Sequence, residues 1–439
     1  MAGELFVNRE AELQLIEEAL QTLRDRQRLL RTPMVELCGV RGIGKTALLR
    51  QVQQRCQETD VPCIWTEAGR EEGLLASQIV EQVQRYQIQP GGGEENGLES
   101  PSLRRSVEAL RLLAQRGRAV LLVDAVDAGS ERQVRWLEAL LRELLKEYTL
   151  FVVLAASRLV TFERERSVAR KMTVLELGPL DRPSCEVYLQ KVGLPLGAEA
   201  RELVFSWSRG YPLAMEVLTE AIRGGLDPLQ PADRLQLLQL LTERVIRQEI
   251  LRKLLPDERP SYESLLRLLS VPRRFNLLLL QELIEEFDPQ WTRESPLDYF
   301  FLPRELSDKT EVVRWHLDRA GYAVEEPVRW LFLLILRSEQ PEQFVALHRW
   351  LAAFNLRLAG RVSGSDRIRY LREWLYHSAF SLEPVALEAA IQELLAALLM
   401  ENAEARLQFV EEVRQDQELR EALGEQAQRL LLGLQALEH

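Results

Sequence analysis

One octapeptide constrains this chain more than any other feature. Gly39-Val40-Arg41-Gly42-Ile43-Gly44-Lys45-Thr46 fits G-x-x-x-x-G-K-[ST]. It follows an apolar run, Met34–Cys38, that reads as a buried strand, and it precedes a helical pattern over Ala47–Arg55. A strand, a glycine-rich turn and a helix in that order make a cradle for phosphate. The glycines let backbone N–H groups curl around phosphate oxygens, and the helix N-terminus adds a positive dipole. Lys45 supplies a cation for the β- and γ-phosphates, and the Thr46 hydroxyl is a ligand for Mg²⁺.

The surrounding sequence agrees with this context. Pro62–Trp65, Ala119–Val123, Leu150–Ala155 and Thr173–Leu177 also read as buried strands, with helical patterns between them. Such alternation predicts a parallel sheet with helices on both faces. Pro90–Gly97 reads as a surface loop. The third strand ends in Asp124, a carboxylate placed to hold Mg²⁺ directly or through water; the plain alternative is a strand-end turn cap. Asp127 reads as a second polar contact or, slightly better, a helix cap. Ala125 stands where many such proteins carry the acid that orients attacking water, so binding and hydrolysis are separate questions.

After Gly178 the strand signal nearly vanishes. Apolar residues recur at helical spacing through Leu235–Leu255 and Leu277–Phe287, prolines divide the segment into short helices, and Gly321–Val324 reads as one strand of a small wing. The tail from Val385 is helical. The chain has 439 residues, enough for two to four domains, and 56 Lys+Arg against 67 Asp+Glu give a net charge of −11. That balance argues against nucleic acid as the main partner. Four cysteines without C-x-x-C spacing and four scattered histidines argue against a zinc or disulfide framework. The first residues lack the pattern of a secretory signal, and no apolar run approaches membrane-span length, so the chain reads as reduced, soluble and cytoplasmic. Leu437–His439 resemble the stub of a tag.

Four stretches, taken in order, resemble the STAND class of P-loop NTPases, the signalling ATPases that include NACHT and NB-ARC proteins. Phe6-Val7-Asn8-Arg9-Glu10 is similar to the class's F-V-G-R-E entry motif, with Asn8 in place of Gly. Gly42–Leu48 is similar to its G-G-[IV]-G-K-T-x-L loop, whereas the general AAA+ loop usually has Pro at the position of Arg41. Phe151–Arg158 resembles the sensor strand ending in S/T-R, and Gly210-Tyr211-Pro212-Leu213-Ala214 resembles G-x-P-L-A of the helical lid. The resemblance implies that Val7, Asn8 and Arg9 lie against base and ribose. It implies that Gly39, Gly42, Ile43, Gly44, Lys45, Thr46 and Ala47 hold phosphate, with Thr46 and Asp124 on the metal. Arg158 would sense the γ-phosphate and Pro212 would pack on adenine.

The implied architecture is an α/β P-loop core (1–178), a helical lid (179–230), a winged helix (231–350) and a helical tail (351–436). No histidine matches the one that NB-ARC proteins place on the β-phosphate of ADP; His316 precedes the expected wing, and His348 reads as amphipathic helix surface. Glu373-Trp374-Leu375-Tyr376-His377 resembles the E-x-x-Y-H start of helical regions in bacterial relatives. The implied function is an ATP- or ADP-binding switch, with Mg²⁺, whose nucleotide state controls assembly with protein partners or copies of itself. Two alternatives stand beside it. One is a DNA-associated, origin-recognition-like ATPase that meets phosphates through Arg273, Arg274 and Arg304 of the winged helix. The other is a nucleotide-binding scaffold that never hydrolyses.

Overall fold

The computed structural model describes residues 6–25, 30–69, 71–88, 100–126, 130–145, 149–160, 166–317, 319–399 and 403–437. Asp127, the loop 90–97 and the last two residues fall outside these. The chain forms two compact units, Met1–Leu255 with Leu306–Val312, and Pro256–Glu305 with Val313–His439.

The first unit is built on five parallel strands, β1 (Met34–Cys38), β2 (Cys63–Glu67), β3 (Ala119–Asp124), β4 (Leu150–Ala156) and β5 (Met172–Glu176), in the order β2-β3-β4-β1-β5. The three central strands are buried along nearly their whole length. That is why they read as continuous Val/Leu runs rather than alternating ones. Edge strands β2 and β5 close on exposed glutamates, Glu67 and Glu176; in β2 the ladder runs past the apolar run that ends at Trp65. Helices α1 (Glu10–Arg24) and α2 (Lys45–Glu58) come first, followed by α3 (Glu72–Gln84), α4 (Pro101–Arg116), α5 (Glu131–Leu144) and the short α6 (Arg166–Ala169). Leu121, Val123, Val152 and Leu154 form one core with α3, α4 and α5. Strand residues of the other parity, such as Val35, Leu37, Val120 and Phe151, are equally buried, on the face covered by α1 and α2.

Helices α7 (Arg182–Val192), α8 (Ala198–Ser208), α9 (Pro212–Arg223) and α10 (Pro231–Leu240) complete this unit. The periodic run expected over Leu235–Leu255 is not one α-helix. At Leu241 it changes to a π-helix that continues to Ile250. The buried side chains explain the change: Leu241, Ile246 and Leu251, and likewise Val245 and Ile250, recur every five residues. An i→i+5 ladder, seen in the Leu251 N–H to Ile246 carbonyl bond at 2.8 Å, keeps them on one face.

In the second unit α11 (Arg259–Leu269) and α12 (Leu277–Phe287) are followed along the chain by α13 (Leu302–Thr310), whose last residues group with the first unit. Strands β6 (Val313–His316) and β7 (Gly321–Val324) then form an antiparallel ribbon. The element order is that of a winged helix. His316 lies in the wing, paired with Gly321, rather than before it; β6 is four residues long with an exposed Trp315, too short to leave a clear alternation. Helices α14 (Glu326–Glu339), α15 (Pro341–Ala359), α16 (Gly364–Ser381), α17 (Pro384–Leu399), α18 (Ala403–Gln415), α19 (Gln417–Leu423) and α20 (Gln426–Leu437) follow, and a shared apolar core runs from α15 to α20. Among the described residues no helix is long and apolar enough to cross a membrane.

Candidate functional site

The loop between β1 and α2 sits at the carboxyl end of the sheet. Gly44 caps α2 in the left-handed region at φ +103°, and Gly42 has φ +77°. A Cβ on Gly42 would lie 2.6 Å from Cβ of Leu213, so no larger residue fits there. Lys45 Nζ donates to the carbonyls of Gly39 (2.6 Å) and Val40 (3.0 Å), which holds the ammonium at the loop. Ile43 is buried, and Ala47 follows in the first turn of α2.

Asp124 ends β3 and faces this loop. Thr46 Oγ1 donates to Asp124 Oδ2 at 2.9 Å. The other carboxylate oxygen accepts the N–H of Ala125 at 2.9 Å, and Ala125 itself sits at φ +52°. A hydroxyl and a carboxylate oxygen this close are hard donors of the kind Mg²⁺ takes, one or two from protein and the rest from phosphate and water. The strand order puts β4 between β1 and β3, so Ser157-Arg158 emerge between the loop and the acid. Arg158 Nη1 lies 2.7 Å from Asp308 Oδ1, in a half-exposed ion pair.

The entry segment is held against the loop by Arg9. Its guanidinium is buried and donates to the carbonyls of Ile43 (3.2 Å) and Gly178 (2.5 Å), with Glu12 at 3.6 Å. Burial lowers its pKa against the pull of Glu12. Asn8 and Arg9 both have positive φ, +62° and +79°, and Asn8 Oδ1 accepts the Arg9 N–H at 2.7 Å. This position needs the left-handed region, and Asn is the side chain other than Gly that tolerates it best. Asn8 therefore serves where Gly is usual. Val7 and Asn8 are half-buried beside Arg9.

The Gly210–Ala214 stretch brings α9 to the same loop. The carbonyl of Gly210 (φ +74°) accepts the Leu180 N–H at 2.8 Å, and a Cβ on Gly210 would lie 1.9 Å from the Leu180 carbonyl oxygen. Pro212 opens α9 and is half-buried. The Leu213 N–H donates to the Gly42 carbonyl at 3.3 Å, and the fully buried Tyr211 hydroxyl donates to the Arg41 carbonyl. Burial pushes the Tyr211 phenol up, so it stays a donor. Sequence reasoning passed over Tyr211 and Leu213, although both lie inside the quoted motif. It also missed Glu249 of the π-helix, whose Oε2 is 2.5 Å from Arg41 Nε, and Asp308; neither carries a local signal.

Three expectations in the second unit need correction. Arg273 and Arg274 are not cations for DNA phosphates. Arg273 is 6% exposed, bonded twice to Glu373 (2.9 and 3.0 Å) and through Nη1 to both carboxylate oxygens of Asp416 (2.6 and 2.9 Å), while Arg274 is buried over the Tyr370 ring. Arg304 is exposed. His348 is not helix surface. It is fully buried between Phe344 and Phe380, with Nδ1 3.0 Å from Nδ1 of His377. His316 belongs to the wing, where it and Arg314 outweigh the burial of Glu325 and hold that carboxyl low.

No protein-family model matches this chain, and no curated protein matches it. Solved structures show distant likenesses. Cdc6p from Pyrobaculum aerophilum is 15% identical, with 76% of this chain and 94% of that one covered at a TM-score of 0.40. The RuvB Holliday junction branch migration motor from Thermotoga maritima is 17% identical over 74% and 94% at 0.40. A STAND protein with a tetratricopeptide repeat sensor from Pyrococcus horikoshii is 15% identical, covering 98% of this chain and 58% of that one at 0.34.

Proposed function

We propose that this chain binds ATP or ADP in the Gly39–Thr46 loop and acts as a STAND-type switch, its nucleotide state controlling assembly with protein partners or further copies. The observation that carries the reading is the Thr46–Asp124 contact at 2.9 Å, two oxygen donors joined across the loop and the strand end. Mg²⁺ held by that pair would neutralise charge on the β- and γ-phosphates. Lys45 supplies the remaining positive charge, and Gly39, Gly42, Ile43, Gly44, Thr46 and Ala47 supply the cradle. Arg9 fixes Val7 and Asn8 for the base and ribose side, and Pro212 lies on the lid for the adenine. In this reading residues 179–230 are the lid, 231–350 the winged helix and 351–436 the tail.

The switch needs contacts that differ between nucleotide states. In this reading Arg158, ion-paired with Asp308 at 2.7 Å, would exchange that partner for a γ-phosphate. A second reading, a scaffold that binds without hydrolysis, is favoured by Ala125, which offers no carboxylate beside Asp124. The test is titration of MgATP and MgADP against the chain and Lys45→Ala, with turnover measured on both. Binding by the chain and its loss in the variant support the loop reading; equal binding refutes it. Turnover above the variant favours the switch over the scaffold. The DNA-associated reading predicts salt-dependent retardation of duplex DNA, and no retardation at low salt removes it.

A further inference from the structure

Arg41 stands inside the loop, and its guanidinium is held at a single point. Nε donates to Glu249 Oε2 at 2.5 Å, and neither Nη group has a protein partner among the described residues. The two side chains are 32% and 38% exposed, so water reaches the pair. The Nη1/Nη2 fork, whose planar geometry matches phosphate oxygens, is therefore open. The backbone beneath it is pinned from the lid, with Tyr211 on the Arg41 carbonyl and the Leu213 N–H on that of Gly42. Glu249 belongs to the last turn of the π-helical segment Leu241–Ile250. That segment is tied in turn to α9 through Arg244 and Glu220 at 2.8 Å. One guanidinium thus joins the loop to a segment of unusual helical register, the kind of element that recurs at functional sites.

We propose that Arg41 is a phosphate-contacting residue held in reserve by Glu249, and that phosphates in the loop draw it away and release Leu241–Ile250. This rests on the loop reading above. A bound phosphate is an anion within one side chain's length of Arg41 and competes with Glu249 for the same cation. A triphosphate carries more charge than a diphosphate and competes better. Linkage makes the effect reciprocal: whatever weakens the Arg41–Glu249 pair strengthens triphosphate binding.

The experiment uses the full chain, Glu249→Gln, Arg41→Gln and Lys45→Ala, with MgATP and MgADP titrated and hydrogen exchange of 241–250 followed by mass spectrometry. A half-exposed ion pair sets the scale at about two- to fivefold. Glu249→Gln binds MgATP tighter by that factor, with a smaller gain for MgADP. Arg41→Gln binds MgATP more weakly. In the unaltered chain MgATP speeds exchange at 241–250, and in Glu249→Gln exchange is already fast without it. The proposal is overturned if Glu249→Gln binds MgATP as the unaltered chain does, or if exchange at 241–250 ignores nucleotide. Faster exchange in both variants with unchanged affinity marks a purely structural clasp and also overturns it. Binding that is lost in Lys45→Ala yet indifferent to Glu249→Gln defeats the latch alone; no binding by the unaltered chain defeats the loop reading with it.

Discussion

Replacing Gly210 with alanine should uncouple the lid from the loop. Two costs add. The residue sits at φ +74°, where a Cβ costs about 1–2 kcal/mol against the following carbonyl. The new Cβ would also lie 1.9 Å from the Leu180 carbonyl oxygen and 2.9 Å from its carbonyl carbon. Both atoms belong to the backbone and cannot rotate away, so the chain must shift. The shift breaks the Leu180 N–H to Gly210 carbonyl bond, 2.8 Å long, worth about 0.5–1.5 kcal/mol. The sum is about 1.5–3.5 kcal/mol. Gly193 supplies the control: its φ is +73°, almost the same, yet a Cβ there meets nothing within 4 Å. Gly193→Ala should lose only the conformational part. Denaturant midpoints followed by tryptophan fluorescence would be compared, together with MgATP affinity. Gly210→Ala should unfold earlier than Gly193→Ala and bind nucleotide more weakly, because Tyr211 and Leu213 lose their seat on Arg41 and Gly42. Equal midpoints for the two variants would refute the steric reasoning.

Three further outcomes follow from the structure. Thr46→Ala and Asp124→Asn should weaken nucleotide binding in Mg²⁺ and change it little in EDTA, which isothermal titration in both buffers checks. Arg273→Met should destabilise the second unit by about 3–5 kcal/mol, because Glu373 and Asp416 stay buried without their cation; thermal unfolding reads this. Burial, with nearby charges, holds His348 and His377 well below the usual histidine pKa. The unfolded chain then takes up protons that the folded chain refuses, so stability should fall as pH drops below about 6.5 and keep falling until the folded pair titrates. His348→Phe should lessen that slope, and an unchanged slope would exclude the pair as its source.

The parallel core was legible because its central strands are buried on both sides and leave unbroken apolar runs. The glycine loop was legible because Gly42 and Gly44 need positive φ, which few other residues supply. Asn8 shows the same rule at work in another residue type. Long-range partners were not legible. Arg41 and Glu249 are 208 residues apart, Arg158 and Asp308 150 apart, and nothing local distinguishes those acids from solvated ones. Arg273 read as a surface cation for the same reason, since its partners lie on α16 and just before α19. His348 and His377 lie on consecutive helices, α15 and α16, and only their packing joins them. The five-residue spacing of Leu241, Ile246 and Leu251 was visible, but a helix of period 3.6 hid it.

The central claim is that one nucleotide site sets the chain's state of assembly. Its most direct measurement is the mass of the full chain by light scattering in MgADP and in MgATP, alongside Lys45→Ala. Different masses are expected in the two nucleotides, and the same mass in both for the variant. A chain of one mass in both nucleotides, or a Lys45→Ala variant that still responds to them, would contradict it.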